Sequence, residues 1–133
     1  MCYTFGMDLK KRILIVEDEK PLLRVLTDEL VAHGFDVIAA LDGEEGLALA
    51  LKEHPDLVLL DIILPKMDGM TMLKRLREDV WGKTVPVILL TNVVPDERTM
   101  RGVIEDKVAY YLVKTEWKIG DVTQKIKDAL GLQ

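Results

Sequence analysis

The chain has one cysteine, no excess of basic charge and no long apolar run, and each absence excludes a class of protein. Cys2 has no internal partner, so a disulfide framework is excluded, and its place near the start gives it no metal-ligand neighbours. Such cysteine usage leads us to expect a reducing, cytoplasmic compartment. No apolar stretch approaches the ~18 residues that a transmembrane helix needs. Met1-Cys2-Tyr3-Thr4-Phe5-Gly6 has neither the basic start nor the apolar length of a signal peptide. The formal net charge is −5, so neither direct nucleic-acid binding nor attraction to an anionic membrane is expected. A Gly-rich phosphate loop is missing, which argues against nucleotide hydrolysis. Repeats and low-complexity stretches are missing as well.

What remains is an ordinary globular composition: 133 residues, 49% hydrophobic and 31% charged, enough for one well-buried core. Short apolar runs alternate with amphipathic segments. Strands are expected at 12–17, 35–40, 56–60, 85–90 and 109–113. The first helix, over 20–33, carries Leu22, Leu23, Leu26 and Leu30 at helical spacing, with Pro21 in its first turn and Gly34 as a left-handed stop. Asp42-Gly43-Glu44-Glu45 has the form of a capping box, and Pro55 stops the helix it opens. Asp68 caps the third helix, a weaker helix is expected near 96–105, and Ile119, Val122 and Ile126 mark the last. Residues 1–10 read as an N-terminal extension and 11–133 as one domain. Apolar strands separated by amphipathic helices favour an α/β fold, a (βα)5 doubly wound parallel sheet covered on both faces. With right-handed crossovers this is a flavodoxin-like sheet of order 2-1-3-4-5, whose ligands bind between strands 1 and 3.

The polar residues stand where that fold would gather them. Ile13-Leu14-Ile15-Val16 runs into Glu17-Asp18, Leu57-Val58-Leu59-Leu60 into Asp61, Val87-Ile88-Leu89-Leu90 into Thr91, and Tyr111-Leu112-Val113 into Lys114. In one parallel sheet these ends meet at a single edge. Three crowded carboxylates resist ionisation unless a cation compensates them. Oxygen-only ligation suits Mg²⁺, which accepts one or two carboxylates and keeps waters for phosphate. Asp18 and Asp61 are the expected direct ligands, with Glu17 acting through a water. An Asp oxygen can attack a phosphoryl group to give an acyl phosphate, a reaction that needs mainly positioning and charge neutralisation. The Lys114 ammonium and the Thr91 hydroxyl would supply part of both.

In this order the residues resemble the receiver domain of bacterial two-component response regulators, over about Lys11 to Leu130. The most specific segment is Asp61-Ile62-Ile63-Leu64-Pro65-Lys66-Met67-Asp68-Gly69, similar to the family's phosphoacceptor loop. The resemblance implies that Asp61 is the phosphorylated aspartate. Mg²⁺ would be bound by Asp18, Asp61 and the backbone carbonyl of Ile63. Thr91 would be the switch hydroxyl, Tyr111 the coupled rotating aromatic and Lys114 the conserved cation. It further implies a histidine kinase or phosphotransfer protein as donor. The face of the fourth helix, fifth strand and fifth helix would bind a downstream protein effector. Such a domain catalyses only its own phosphorylation and dephosphorylation and is a signalling phosphoacceptor, not an enzyme. No output domain is expected after the last helix.

Three departures from the family pattern stand out. Thr115 follows Lys114 where the family usually has a cis proline; cis before a non-proline costs ~3 kcal/mol, so trans is expected. Asn92 replaces a small residue after Thr91, which leads us to expect a long-lived phosphorylated form. Asp106-Lys107-Val108 replaces a small, Gly-containing turn before the last strand. Two rival readings follow. A pseudo-receiver would signal without phosphate, and a metal-dependent phosphatase would need a second acid where Ile63 stands. His33 and His54 fall at helix ends without metal-ligand partners. Trp81 and Trp117 are expected in loops, patching the core.

Overall fold

The computed structural model describes residues 10–132. Cys2 and most of the expected extension therefore lie outside the described residues. Five strands, β1 (Arg12–Val16), β2 (Asp36–Ala40), β3 (Leu57–Leu60), β4 (Val87–Thr91) and β5 (Tyr110–Val113), alternate with five helices. These are α1 (Lys20–Ala32), α2 (Gly43–Glu53), α3 (Gly69–Glu78), α4 (Glu97–Glu105) and α5 (Ile119–Ala129), with a 3-10 turn at Lys114–Glu116 before α5. All strand pairs are parallel and the order is β2-β1-β3-β4-β5, as expected from the sequence.

Successive strand residues point to opposite faces, and the core accordingly divides into two layers. Leu14, Val16, Val58, Leu60, Val87 and Leu89 pack with Ala50, Met72, Leu73, Leu76 and Val103, under α2, α3 and α4. Ile13, Ile15, Leu57, Leu59, Ile88 and Leu90 pack with Leu26, Leu30, Val122 and Ile126, under α1 and α5. The central strands are apolar on both faces because both faces are covered. Burying one such Leu or Ile contributes about 1.5–3 kcal/mol before entropy is charged against it. Trp81 joins the first layer and stacks on His54, ring centroids 4.3 Å apart; Trp117 joins the second. Both tryptophans patch the core, as the sequence suggested.

Element ends follow local chemistry, and most differ from expectation by a residue or two. β4 begins at Val87 rather than residue 85, because Pro86 accepts from Val58 N but has no N–H to donate. At its other end β4 runs one residue further than expected, so that Thr91 is its last residue, fully buried. Asp42 caps α2 by accepting from Glu45 N at 2.8 Å, but Glu45 reaches back to Leu41 N at 3.2 Å, one residue before the cap. The first helix ends at Ala32, with His33 as C-cap and Gly34 at φ +91°. Asp68 caps α3 as expected, accepting from Thr71 N at 2.9 Å. No cis peptide occurs among the described residues, so Lys114–Thr115 is trans.

Two glycines let the helices close on the loop after β3. A Cβ on Gly69 would overlap the Asp61 carbonyl oxygen, and one on Gly43 would overlap that of Met67. Gly69 N also donates to Ile62 O at 2.7 Å. The backbone around Asp61 is thus held by the starts of α2 and α3, independently of the site's side chains.

Candidate functional site

The carboxyl ends of β1, β3, β4 and β5 converge as the strand order requires. Asp61 follows β3 and is buried; its Oδ1 accepts from Ile63 N at 3.3 Å. Its Oδ2 accepts from Lys114 Nζ at 2.7 Å, across the sheet edge. Lys114 also reaches Glu17 Oε1 at 2.8 Å and Glu19 Oε2 at 2.8 Å. Burial by itself would lower the Lys114 pKa, but hydrogen bonds to Asp61, Glu17 and Glu19 outweigh it and raise it. The ammonium stays charged throughout the physiological range.

Glu17 is buried, not a solvated neighbour of Asp18, and burial pushes its pKa up with the charge of Asp61 adding to the effect. The Lys114 hydrogen bond opposes that shift, as does the Glu19 N–H, which donates to Glu17 Oε2 at 3.0 Å. Asp18 is exposed and opens onto the same cleft. Oxygens of Glu17, Asp18 and Asp61 lie within 4.8 Å of one another. An all-oxygen cluster of this compactness fits a hard divalent cation, and a single ammonium leaves its negative charge undercompensated.

The cleft has a volume of about 270 Å³ and is lined by Asp18, Glu19, Asp61, Ile63, Thr91, Asn92 and Lys114. A larger hollow of about 580 Å³ lies between α3 and α4, away from these strand ends. Size does not locate the chemistry here; the converging charges do. Thr91 Oγ1 accepts from Val93 N at 3.3 Å, which leaves its own O–H free to donate. Val93 O in turn accepts from the Tyr111 hydroxyl at 2.5 Å. Tyr111 is half-buried in the α2–α4 layer while Tyr110 points to the other, and burial raises the Tyr111 pKa. Thr91 and Tyr111 therefore share one short segment, 91–93, as their link.

All seven residues singled out from the sequence, Glu17, Asp18, Asp61, Ile63, Thr91, Tyr111 and Lys114, fall at or beside this edge. Two others were overlooked. Glu19, the third acid after β1, carries no motif or spacing that marks it in the sequence. Arg77 reads only as a helix residue, yet its guanidinium donates to the carbonyls of Gly82 (2.8 Å), Val85 (2.7 Å), Asp106 (2.8 Å) and Lys107 (3.3 Å). This ties α3 to the chain just before β4 and to the Asp106-Lys107-Val108 turn, where Lys107 has φ +56°. Backbone acceptors leave no mark in a sequence.

Comparison with known proteins decides the family. Residues 13–127 match the model of the response regulator receiver domain. The chain belongs to that family. Among curated relatives, it is 40% identical over 97 residues to the DNA-binding dual master transcriptional regulator RpaA of a Synechocystis strain, covering 73% of this chain and 37% of that one. The chain spans about a third of the length of most curated relatives it matches. A CheY-like receiver domain protein from Methanospirillum hungatei superposes with TM-score 0.84 at 29% identity, over 92% of this chain and 95% of the other. A CheX–CheY–BeF3–Mg²⁺ complex from Borrelia burgdorferi gives TM-score 0.81 at 28% identity, over 93% and 92%. The receiver fold and the two-component assignment read from the sequence are thereby established. Among the described residues no helix is long and apolar enough to cross a membrane.

Proposed function

We propose that residues 11–133 form a phosphoacceptor receiver domain that takes a phosphoryl group on Asp61 from the phosphohistidine of a kinase or phosphotransfer protein. The observation that carries this reading is the 2.7 Å contact between Asp61 and Lys114, in a cleft shared with Asp18. One Asp61 oxygen attacks phosphorus as the bond to the donor breaks; the donor imidazole leaves neutral if its other nitrogen is already protonated. Asp61 becomes an acyl phosphate, and since phosphorus keeps its oxidation state the step needs no oxidant or reductant. Transfer of this kind asks the protein for positioning and charge compensation. Lys114 supplies a fixed positive charge beside the acceptor. The free O–H of Thr91 can donate to a phosphoryl oxygen, and doing so would draw on the 91–93 segment that Tyr111 holds.

Mg²⁺ fits the cluster, with Asp18, Asp61 and the Ile63 carbonyl as ligands and Glu17 contributing through a water, and when bound it would neutralise phosphoryl charge. The Mg²⁺ named in the Borrelia complex supports this assignment for a similar fold. The output would be a change of affinity for a protein effector at the α4–β5–α5 face. The chain acts as a signalling phosphoacceptor rather than an enzyme on other substrates. Asn92, exposed beside the cleft, is positioned to crowd attacking water and so to lengthen the life of the acyl phosphate.

Incubation with acetyl phosphate and Mg²⁺, followed by intact-mass measurement, tests the reading. One added phosphoryl group is expected on the native chain and none on Asp61→Asn. A native chain that gains no mass would favour the phosphate-independent pseudo-receiver.

A further inference from the structure

An ammonium group has three N–H donors, and in this protein three carboxylates enclose that of Lys114. Asp61 and Glu19 accept hydrogen bonds from it at 2.7 and 2.8 Å, and Glu17 forms a close ion pair at 2.8 Å. A phosphoryl oxygen arriving on Asp61 competes with these carboxylates for the ammonium and bonds it most readily if one of them lets go. The three differ sharply in how firmly they are held. The side chains of Glu17 and Asp61 are 3% and 7% exposed, and loss of the ammonium would leave each buried beside like charge. Glu19 is 56% exposed, so water can replace the ammonium at little cost.

Glu19 also has an alternative that it does not use. It occupies the N-cap position of α1, yet its side chain accepts no capping hydrogen bond from that helix. Its carboxylate turns instead to Lys114, and it lines the same cleft as Asp61. The charge placed there repels an incoming phosphoryl dianion as well as occupying the donor that the dianion needs.

We propose that Glu19 is a positioning residue that restrains phosphoryl uptake. It holds one N–H of Lys114 in the resting protein and gives it up to a phosphoryl oxygen during transfer. This rests on Asp61 being the acceptor. With acetyl phosphate as donor, an Asp61 oxygen forms the new bond to phosphorus, the bond to acetate breaks, and acetate leaves with the electron pair. Charge balances without a proton. Removing the Glu19 carboxylate leaves that step unchanged and makes its charge environment more favourable.

The test follows phosphorylated mass against time for the full chain, with acetyl phosphate at fixed, saturating Mg²⁺, at low and at high ionic strength. Glu19→Gln and Glu19→Ala are both expected to take up phosphate roughly two- to five-fold faster than the native chain at low salt, the range set by one exposed ion pair. That gain should shrink at high salt, because screening weakens both the ion pair and the repulsion. A merely structural role would not produce a salt-dependent gain. Rates equal to or below native in both variants, or a gain that salt does not alter, would overturn the role of Glu19 alone. A native chain that never takes up the group would overturn the Asp61 reading, and this inference with it.

Discussion

Two inward-turned cations sit at opposite edges of the sheet, and they are held in opposite ways. Lys114, just past β5, is bound by three side-chain carboxylates. Arg77, at the end of α3, is bound by four backbone carbonyls from the segments leading into β4 and β5. Carboxylates on side chains can rotate away and trade a cation with an incoming anion. Carbonyls on the backbone cannot, so Arg77 fixes chain path while Lys114 remains available for exchange. The planar, five-donor guanidinium suits the first task and the compact ammonium the second.

The contrast breaks most visibly at Arg77. Arg77→Met leaves four carbonyls without their donor, and we expect a loss of about 3 kcal/mol or more in urea unfolding. Arg77→Lys should recover less than half, because one ammonium cannot span the same acceptors. The folded fraction of either variant should still accept phosphate on Asp61. Loss of that capacity at full folding would show that Arg77 serves the site as well as the scaffold.

Lys114→Met should cost less, roughly 2 kcal/mol in the presence of a chelator. Uncompensated buried carboxylates are expensive, but the cleft admits water. Added Mg²⁺ should recover part of the loss by binding the folded state. The pH dependence has a definite sign. The Lys114 pKa is raised on folding, so its contribution is fully present below the unfolded value near 10.5 and is lost as pH rises through the higher folded value. The stability gap between native chain and variant should hold from neutral pH to about 10 and narrow only beyond it. A gap that closes near neutrality would contradict the carboxylate cage.

The smallest effect belongs to Tyr111→Phe, which removes the hydrogen bond to Val93 O. A loss of about 1 kcal/mol is expected, with phosphate uptake on Asp61 little changed. Because burial raises the Tyr111 pKa, the phenol should remain protonated past pH 10 in a spectroscopic titration.

The same contrast explains what could be read in the sequence. The residues around Lys114 were legible because apolar runs ending in Asp61, Thr91 and Lys114 mark strand ends, and parallel strands bring such ends together. Glu19 was not, since an acid beside two acids has no periodic signature, and only the distance to Lys114 reveals its use. Arg77 was hidden for a deeper reason: its partners are carbonyls, which every residue carries. The displaced start of β4 was readable in principle, because Pro86 lacks the N–H that a ladder position needs. Burial of Glu17 depends on Lys114 returning from almost a hundred residues away, a long-range fact that local pattern does not contain.

Intact mass after exposure to acetyl phosphate and Mg²⁺ tests Asp61 as the acceptor most directly. A single added phosphoryl group is expected on the native chain, absent from Asp61→Asn and not formed when Mg²⁺ is chelated. An unmodified native chain, or an equal gain on Asp61→Asn, would contradict a phosphoacceptor role for Asp61.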